Sequence, residues 1–249
     1  MHKIKLHAIL IKQSEYGDTS LIYRFFTCEH GLIGVLAKGI RKKNDPLIPL
    51  CCYELFAYEP KEPGLWLFSE AAVDKDLSQY PSTSTWAAAE CGMELISQML
   101  FAQEDLSNVY HLSISFLEYL QKTPYNAILI LWRFMLRITV LSGIGNPFTG
   151  CCMCNKSLAT YPAYLVSKGG MLCSNCSSEL VQSDDLIRLS DLSIKLIAML
   201  PEIGNYLNEI TLSPQTVQEI NGIFEHYWLS HHKHPLKLKS LGLLSQFAF

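Results

Sequence analysis

The 249-residue sequence predicts an α+β chain: a five-stranded barrel at the N-terminus, then a helical domain into which a small four-cysteine ribbon is inserted. Three observations carry the prediction. Apolar residues alternate with a period of two through the first eighty residues, and from about Ser82 they follow a helical period. Further on, Cys151-x-x-Cys154 and Cys173-x-x-Cys176 face each other across eighteen residues.

The strands are read in order. Ile4, Leu6, Ala8 and Leu10 alternate along the first, and Thr19 to Thr27 is rich in β-branched and aromatic residues. A turn at Cys28-Glu29-His30-Gly31 leads to Leu32 to Ala37, and further strands fit Leu50 to Tyr58 and Leu65 to Val73. Five short strands with tight turns suit a closed barrel, of which the OB-fold is the common five-stranded form, with half of a sandwich as the alternative. Ser82 or Thr83 caps a helix through Ala102, a second runs from Leu106 to Leu120, and a third from about Pro124 to Leu141. Helical patterns resume at Ser190 to Leu200 and Pro214 to Leu229. The predicted domains are residues 1–80 and 81–249, with the ribbon at about 147–180.

Two thiolate pairs at this spacing wrap opposite sides of a tetrahedral ion, so Cys151, Cys154, Cys173 and Cys176 predict one structural Zn2+. Four thiolates fill the tetrahedron and leave no place for a catalytic water. The alternative is a pair of disulfides. Tyr161, Tyr164, Leu165 and Val166 ahead of Gly169-Gly170 read as the hairpin, and Asn155 tolerates the left-handed backbone that a metal knuckle requires. Nine cysteines, with adjacent pairs at Cys51-Cys52 and Cys151-Cys152, fit a reducing compartment better than a disulfide framework. Cys28, Cys51, Cys52 and Cys91 read as small core residues. Met1 to Leu6 alternates charged and apolar residues, unlike a signal peptide, so the expected location is the cytoplasm. The most apolar stretch, Ala127 to Gly143, is interrupted by Arg133 and Arg137, which excludes a membrane span there.

The formal net charge of -3 conceals basic ends and an acidic middle. Residues 1–43 hold eight Lys or Arg against three acids, residues 44–230 hold nine against twenty, and residues 231–249 hold three against none. Lys38, Arg41, Lys42 and Lys43 stand within six residues just after a predicted strand, as a phosphate-binding barrel loop would. Tyr23, Phe25 and Phe26 offer at most one face for stacking bases. Arg133 and Arg137, four apart on a helix, call for an internal carboxylate between them. The tail from His231 to Ser240, with Lys237 and Lys239, reads as a solvated or phosphate-facing segment to which histidine protonation adds charge. No phosphate-cradling loop, dinucleotide fingerprint, nucleophile elbow or zinc-protease motif is present, so no enzyme is predicted.

A family resemblance joins these features. Tyr16-Gly17-Asp18 with Leu21-Ile22-Tyr23, then Thr27, Gly31-Leu32-Ile33, Ala37-Lys38-Gly39 and Arg41-Lys42, resembles the N-terminal barrel of RecO, the bacterial recombination mediator. Leu65, Leu67 and Glu70 resemble its closing strand, Arg133-Phe134 with Leu136-Arg137 its central helix, and Leu238-Lys239-Ser240 its C-terminal signature. Asp18 stands where that family usually has Glu, Met135 replaces a frequent acid, and Asn155 replaces a knuckle Gly. The resemblance implies a protein of DNA repair and recombination after DNA damage. It would bind single- and double-stranded DNA, anneal complementary strands and, with RecR, load RecA onto DNA coated by single-stranded DNA-binding protein, in the nucleoid-associated cytoplasm. Two other classes remain open: a zinc-stapled protein-protein interaction module without direct DNA binding, and a thiol redox enzyme, which lacks the βαβ setting a CxxC motif would need.

Overall fold

The computed structural model describes residues 2–43, 46–180, 183–232 and 234–247, and the side chain of Lys43 lies outside that description. The chain divides into two compact units, Met1–Pro124 and Tyr125–Phe249.

The first unit is built on β1 (Lys3–Tyr16), β2 (Ser20–Thr27), β3 (Gly31–Ala37), β4 (Cys52–Tyr58) and β5 (Trp66–Lys75), with α1 (Ile40–Lys43) as a single turn between β3 and β4. The strands close into a barrel in the order β1-β2-β3-β5-β4, the arrangement of an OB-fold. All pairs are antiparallel except the short parallel contact that aligns Val35 with Trp66 and Leu36 with Leu67. Period-two alternation sends Leu6, Ala8 and Leu10 inward with Tyr23, Phe25, Ile33, Val35, Leu55 and Trp66. The interior rings pack at tilted and edge-on angles, Tyr23 to Phe25 at 6.0 Å and Phe25 to Tyr53 at 6.2 Å between centroids. The buried tyrosine hydroxyls reach backbone at the rim, where Tyr23 accepts from Leu47 N at 3.2 Å and Tyr53 from Ile48 N at 2.8 Å. Gly34 leaves room for Leu65 at the parallel seam, since a Cβ there would lie 2.6 Å from Leu65 Cδ2.

Ile9 and Phe26 point outward from the barrel yet are buried. They are covered by α2 (Thr83–Ile96), α3 (Leu106–Lys122) and the segment between, from which Phe101 meets Phe26 at 5.9 Å. Ser82 caps α2 by accepting from Thr85 N at 3.2 Å, and its own N–H donates in return to Thr85 Oγ1 at 3.2 Å. The helix stops at Ile96 rather than at Ala102, because Phe101 leaves the helical path to reach the barrel. Where α2 crosses α3, Gly92 lies against the Phe116 ring.

The second unit contains α4 (Ala127–Leu141), β6 (Ala163–Leu165), β7 (Gly170–Leu172), α5 (Ser174–Ser178), β8 (Leu186–Arg188), α6 (Asp191–Met199), α7 (Pro214–His231) and α8 (Lys239–Gln246). α4 is its buried centre, and Trp132, fully buried, donates from Nε1 to Asn221 Oδ1 of α7 at 2.8 Å. Buried Glu219 of α7 accepts from Ser190 N and Ser190 Oγ, each at 2.9 Å, and from Gln215 Nε2 at 2.7 Å, which fixes the N-terminus of α6 to α7. α8 forms where the sequence predicts no helix, because its one apolar face, Leu241 and Leu244, is too short to show a period. No helix among the described residues is long and apolar enough to cross a membrane.

Gly92→Ala gives a test of helix packing. In an open helix this change stabilises by up to about 1 kcal/mol, but a Cβ at Gly92 would sit 2.3 Å from Phe116 Cε1. The expected outcome is therefore a loss of about 1–3 kcal/mol from overpacking, read by thermal or urea unfolding.

Candidate metal centre and nucleic-acid interface

The four ribbon cysteines converge. The Sγ atoms of Cys151, Cys154, Cys173 and Cys176 all lie within 4.8 Å of one another, and Cys154 and Cys173 are 3.8 Å apart. Sulfurs bound to one tetrahedral zinc at about 2.3 Å stand about 3.8 Å from each other, so the cluster has the dimensions of a four-thiolate site. The backbone explains the convergence. Asn155 adopts φ 58°, the left-handed conformation expected of it, and its N–H donates to Cys151 O at 2.8 Å, folding the first pair into a tight knuckle. Cys152 N donates to Met171 O at 2.9 Å and ties that knuckle to the β6–β7 hairpin. Cys173 ends the hairpin and begins α5, which brings Cys176 round one turn later. Tyr161 holds the outer loop by accepting from Gly150 N at 2.9 Å and Leu158 N at 2.8 Å. The ribbon also gains a third strand that the sequence does not predict, β8, which pairs with the other side of β6.

The thiols are electrostatically unequal. Burial would raise Cys151, but the N–H groups of Cys173, Cys154 and Met153 aimed at its sulfur overcome this and bring it down to about 6. Cys176 is pushed up, first by hydrogen bonding to Cys173 and then by burial, as thiols sharing protons in a confined group must be. A divalent cation bound here would replace these protons and satisfy all four sulfurs at once. Outside the cluster, burial pushes Cys52 up to about 12; of the four cysteines expected in the core, Cys51, Cys52 and Cys91 are buried, whereas Cys28, in the β2–β3 turn, is only half-buried.

The basic segment after β3 is a helical turn rather than an irregular loop. Gly39, at φ 67°, redirects the chain, and Ile40 is the one apolar residue of the six and packs on the barrel core. The turn winds around that anchor and leaves Lys38, Arg41 and Lys42 exposed. Arg41 Nη2 lies 3.1 Å from Glu15 Oε1, an exposed pair of the kind worth about 0–1 kcal/mol and readily exchanged for another anion. Tyr23, Phe25 and Phe26 are all buried, the first two in the barrel and the third beneath Phe101, so none of them is open to a base. The expectation of a free stacking ring among them is corrected by the helical cover over the outer face.

Lys237 and Lys239 are exposed in the second unit, before and at the start of α8. Of the histidines beside them, His232 is half-buried and stacks on Trp228 at 4.0 Å, whereas His231, 4.4 Å from Tyr227, and His234, whose backbone oxygen accepts from Trp228 Nε1 at 3.1 Å, are exposed. Lys233 lies outside the described residues. Burial, followed by the charge of His231, lowers the His232 pKa, so His232 resists taking up the positive charge expected of the tail.

The carboxylate expected between Arg133 and Arg137 is absent. No ion pair among the described residues involves either arginine, and Arg133 Nε is buried without a hydrogen-bond partner. Both line a cleft of about 400 Å³ with Leu136, Val140, Asn146 and Pro201. The i, i+4 spacing puts them on one face, as predicted, but the side chains open onto this cleft rather than into a polar core.

A closed barrel with an exposed basic turn, and a helical unit that carries a four-thiol ribbon, define a barrel-and-ribbon protein. The chain belongs to the RecO family: the model for the recombination protein O N-terminal domain matches residues 1–73, and the one for its C-terminal domain matches residues 82–241. It is 23% identical to the DNA repair protein RecO of Bacillus pumilus over 98% of this chain and 94% of that protein. To the DNA repair protein RecO of Chlorobium phaeobacteroides it is 26% identical over 98% of each. A third relative of the same name, from Syntrophus aciditrophicus, is 24% identical over 97% of this chain and 95% of its own.

A pH series tests the His232 environment. A histidine whose pKa is lower folded than unfolded binds more protons in the unfolded state, so its stability contribution is complete above the ordinary value of 6.5 and is lost as pH falls below it. Melting temperatures between pH 7.5 and 5 should therefore fall less steeply for His232→Phe than for the natural chain, with the two profiles differing most on the acid side.

Proposed function

We propose that this protein acts in DNA repair as a recombination mediator. It binds single- and double-stranded DNA through the barrel, anneals complementary strands, and together with RecR helps RecA load onto DNA covered by single-stranded DNA-binding protein. It does so in the nucleoid-associated cytoplasm and without catalysis of its own. The observation that carries the reading is the basic turn with exposed Lys38, Arg41 and Lys42, followed in sequence by Lys43, on a closed barrel in a chain of the RecO family. Cations held at the barrel rim meet phosphates without burying charge, and their counterion release drives binding. Lys237 and Lys239 are a second, smaller set of phosphate-binding residues in this reading. The ribbon ion is Zn2+ bound by Cys151, Cys154, Cys173 and Cys176, since a four-thiolate tetrahedron selects a soft, tetrahedral metal. Its role is structural, because a ribbon with three-residue strands is too small to hold itself by apolar burial.

One observation favours protein contacts as well. The Arg133–Arg137 cleft joins apolar side chains to two guanidinium groups with no carboxylate, and an acidic peptide with an apolar residue is the chemistry such a lining accepts. Partner proteins would meet the chain there, alongside DNA on the barrel.

Replacing Arg41, Lys42 and Lys43 together by Ala should weaken binding of a labelled single strand and flatten its log-log salt dependence by roughly 0.7 for each phosphate no longer neutralised. Folding should change by less than about 0.5 kcal/mol per site. Normal melting with unchanged affinity and salt slope would remove the turn from the DNA site. Metal analysis of the chain purified under reducing conditions should give one zinc, retained in Cys152→Ser and lost in Cys173→Ser. A metal-free natural chain, or equal metal loss in both variants, would refute the four-ligand assignment.

A further inference from the structure

We infer that the outer edge of β8 and the acidic stripe of α7 beside it form a docking groove for an extended basic peptide of a partner protein, which adds to the ribbon sheet as a fourth strand. The groove shares no lining residue with the Arg133–Arg137 cleft. β8 pairs with β6 along one edge only, since the sheet runs β7-β6-β8. The bonds from Val166 N to Asp185 O at 3.0 Å and from Leu189 N to Pro162 O at 2.9 Å belong to the same alternate set of pairs as Tyr164 with Ile187. Leu186 and Arg188 therefore turn their N–H and C=O groups to the outer edge. No backbone bond reaches those of Leu186 among the described residues. A strand edge left open in this way is a template for another extended chain.

The groove beside that edge selects the composition of the incoming strand. Its volume is about 680 Å³, and its floor is one stripe of α7, Val217, Asn221, Gly222 and Glu225, with Ile187 of β8 as a wall. Gly222 keeps the floor low, because a Cβ there would already meet Ile187 Cδ1 at 3.5 Å. Glu225 is exposed, and no ion pair among the described residues involves it. Glu219, also on the lining, is buried and receives only neutral donors, from Ser190, Ser193 and Gln215. Among the described residues His226 is the one basic side chain on the lining, and Arg188 alternates to the sheet face opposite Ile187. Two carboxylates thus share a groove with no lysine or arginine, which attracts a cationic segment and repels nucleic acid. On an added strand every second side chain faces α7, at steps of about 6.7 Å. Glu225 lies about one helical turn beyond Gly222, so a small apolar residue over Gly222 and a lysine two positions on match the floor.

The test uses the full chain, purified under reducing conditions, and a fluorescein-labelled peptide, Thr-Val-Thr-Lys-Thr-Val-Thr-Lys, titrated by fluorescence anisotropy. The natural chain should bind it on the order of tenfold more tightly than the same peptide with Glu in place of Lys, and Glu225→Lys should remove that preference. Two further peptides are N-methylated on alternate residues. The one that loses the N–H groups facing β8 should bind on the order of tenfold less tightly, and the other should bind like the parent. Leu186→Pro deletes the outward N–H and spares the bonds to β6, so it should abolish binding with no fall in melting temperature. Should that variant melt early, the methylated pair decides the question without it. Equal binding of the Lys and Glu peptides would overturn the basic partner, and equal binding of the two methylated peptides would overturn the added strand. No binding of the parent peptide by the natural chain would overturn both. Self-association of the natural chain in sedimentation, lost in Leu186→Pro, would make a second copy the occupant and overturn the partner peptide.

Discussion

A five-stranded sheet closes only when its first strand can pair along both edges, and β1 does so by dividing its length. Lys3 to Ile9 pair with β4, while Ala8 to Tyr16 pair with β2, so the strand runs as one element through the closure and out into a hairpin arm. The bulge between Leu10 and Lys12 reconciles the two tasks. Up to that point the inward set is Leu6, Ala8 and Leu10, and past it the alternation reverses, so that the polar half of the strand turns its lysine outward. Without closure, Tyr23, Phe25 and Tyr53 would have no common interior, and the apolar outer residues Ile9 and Phe26 would have no fixed surface to offer α2 and α3.

The ribbon meets the opposite problem, too little apolar area for its size. Its β6 and β7 have three residues each, and its thiols occupy the position where a larger domain would place a core. The knuckle at Asn155 and the N–H groups around Cys151 show the backbone already arranged to favour negative sulfur. The peptide thus supplies the geometry and part of the charge compensation that a metal ion held by the four thiols would need.

Charge in both units collects where nothing inside the unit neutralises it. Lys3, Lys5 and Lys75 each have a carboxylate partner on the barrel or its helices, at 2.5, 2.6 and 2.6 Å. Lys12, Arg24, Arg133 and Arg137 have no ion pair among the described residues. The first group trims the surface, where such pairs contribute little to stability. The second group carries no such local compensation among the described residues, so its potential extends further into its surroundings.

Much of the architecture follows from local sequence. Period-two alternation, the turn residues at Cys28 to Gly31 and the cysteine spacing are properties of neighbouring residues, and they sufficed for five strands, the helices from Ser82 to Leu141 and the four-thiol cluster. The left-handed Asn155 was legible for the same reason, since the demand arises within four residues. What the sequence could not reveal depends on residues far apart in the chain. The pairing of Lys12 with Arg24 exists only once register is set, and the burial of Phe26 requires Phe101 to come back across the barrel. The cleft left open beside Arg133, the packing of His232 on Trp228 and the third ribbon strand at Leu186 to Arg188 are of the same kind. Periodicity fixes which face a residue takes, but whether that face meets a neighbour, solvent or a ligand is decided by what the rest of the chain brings against it.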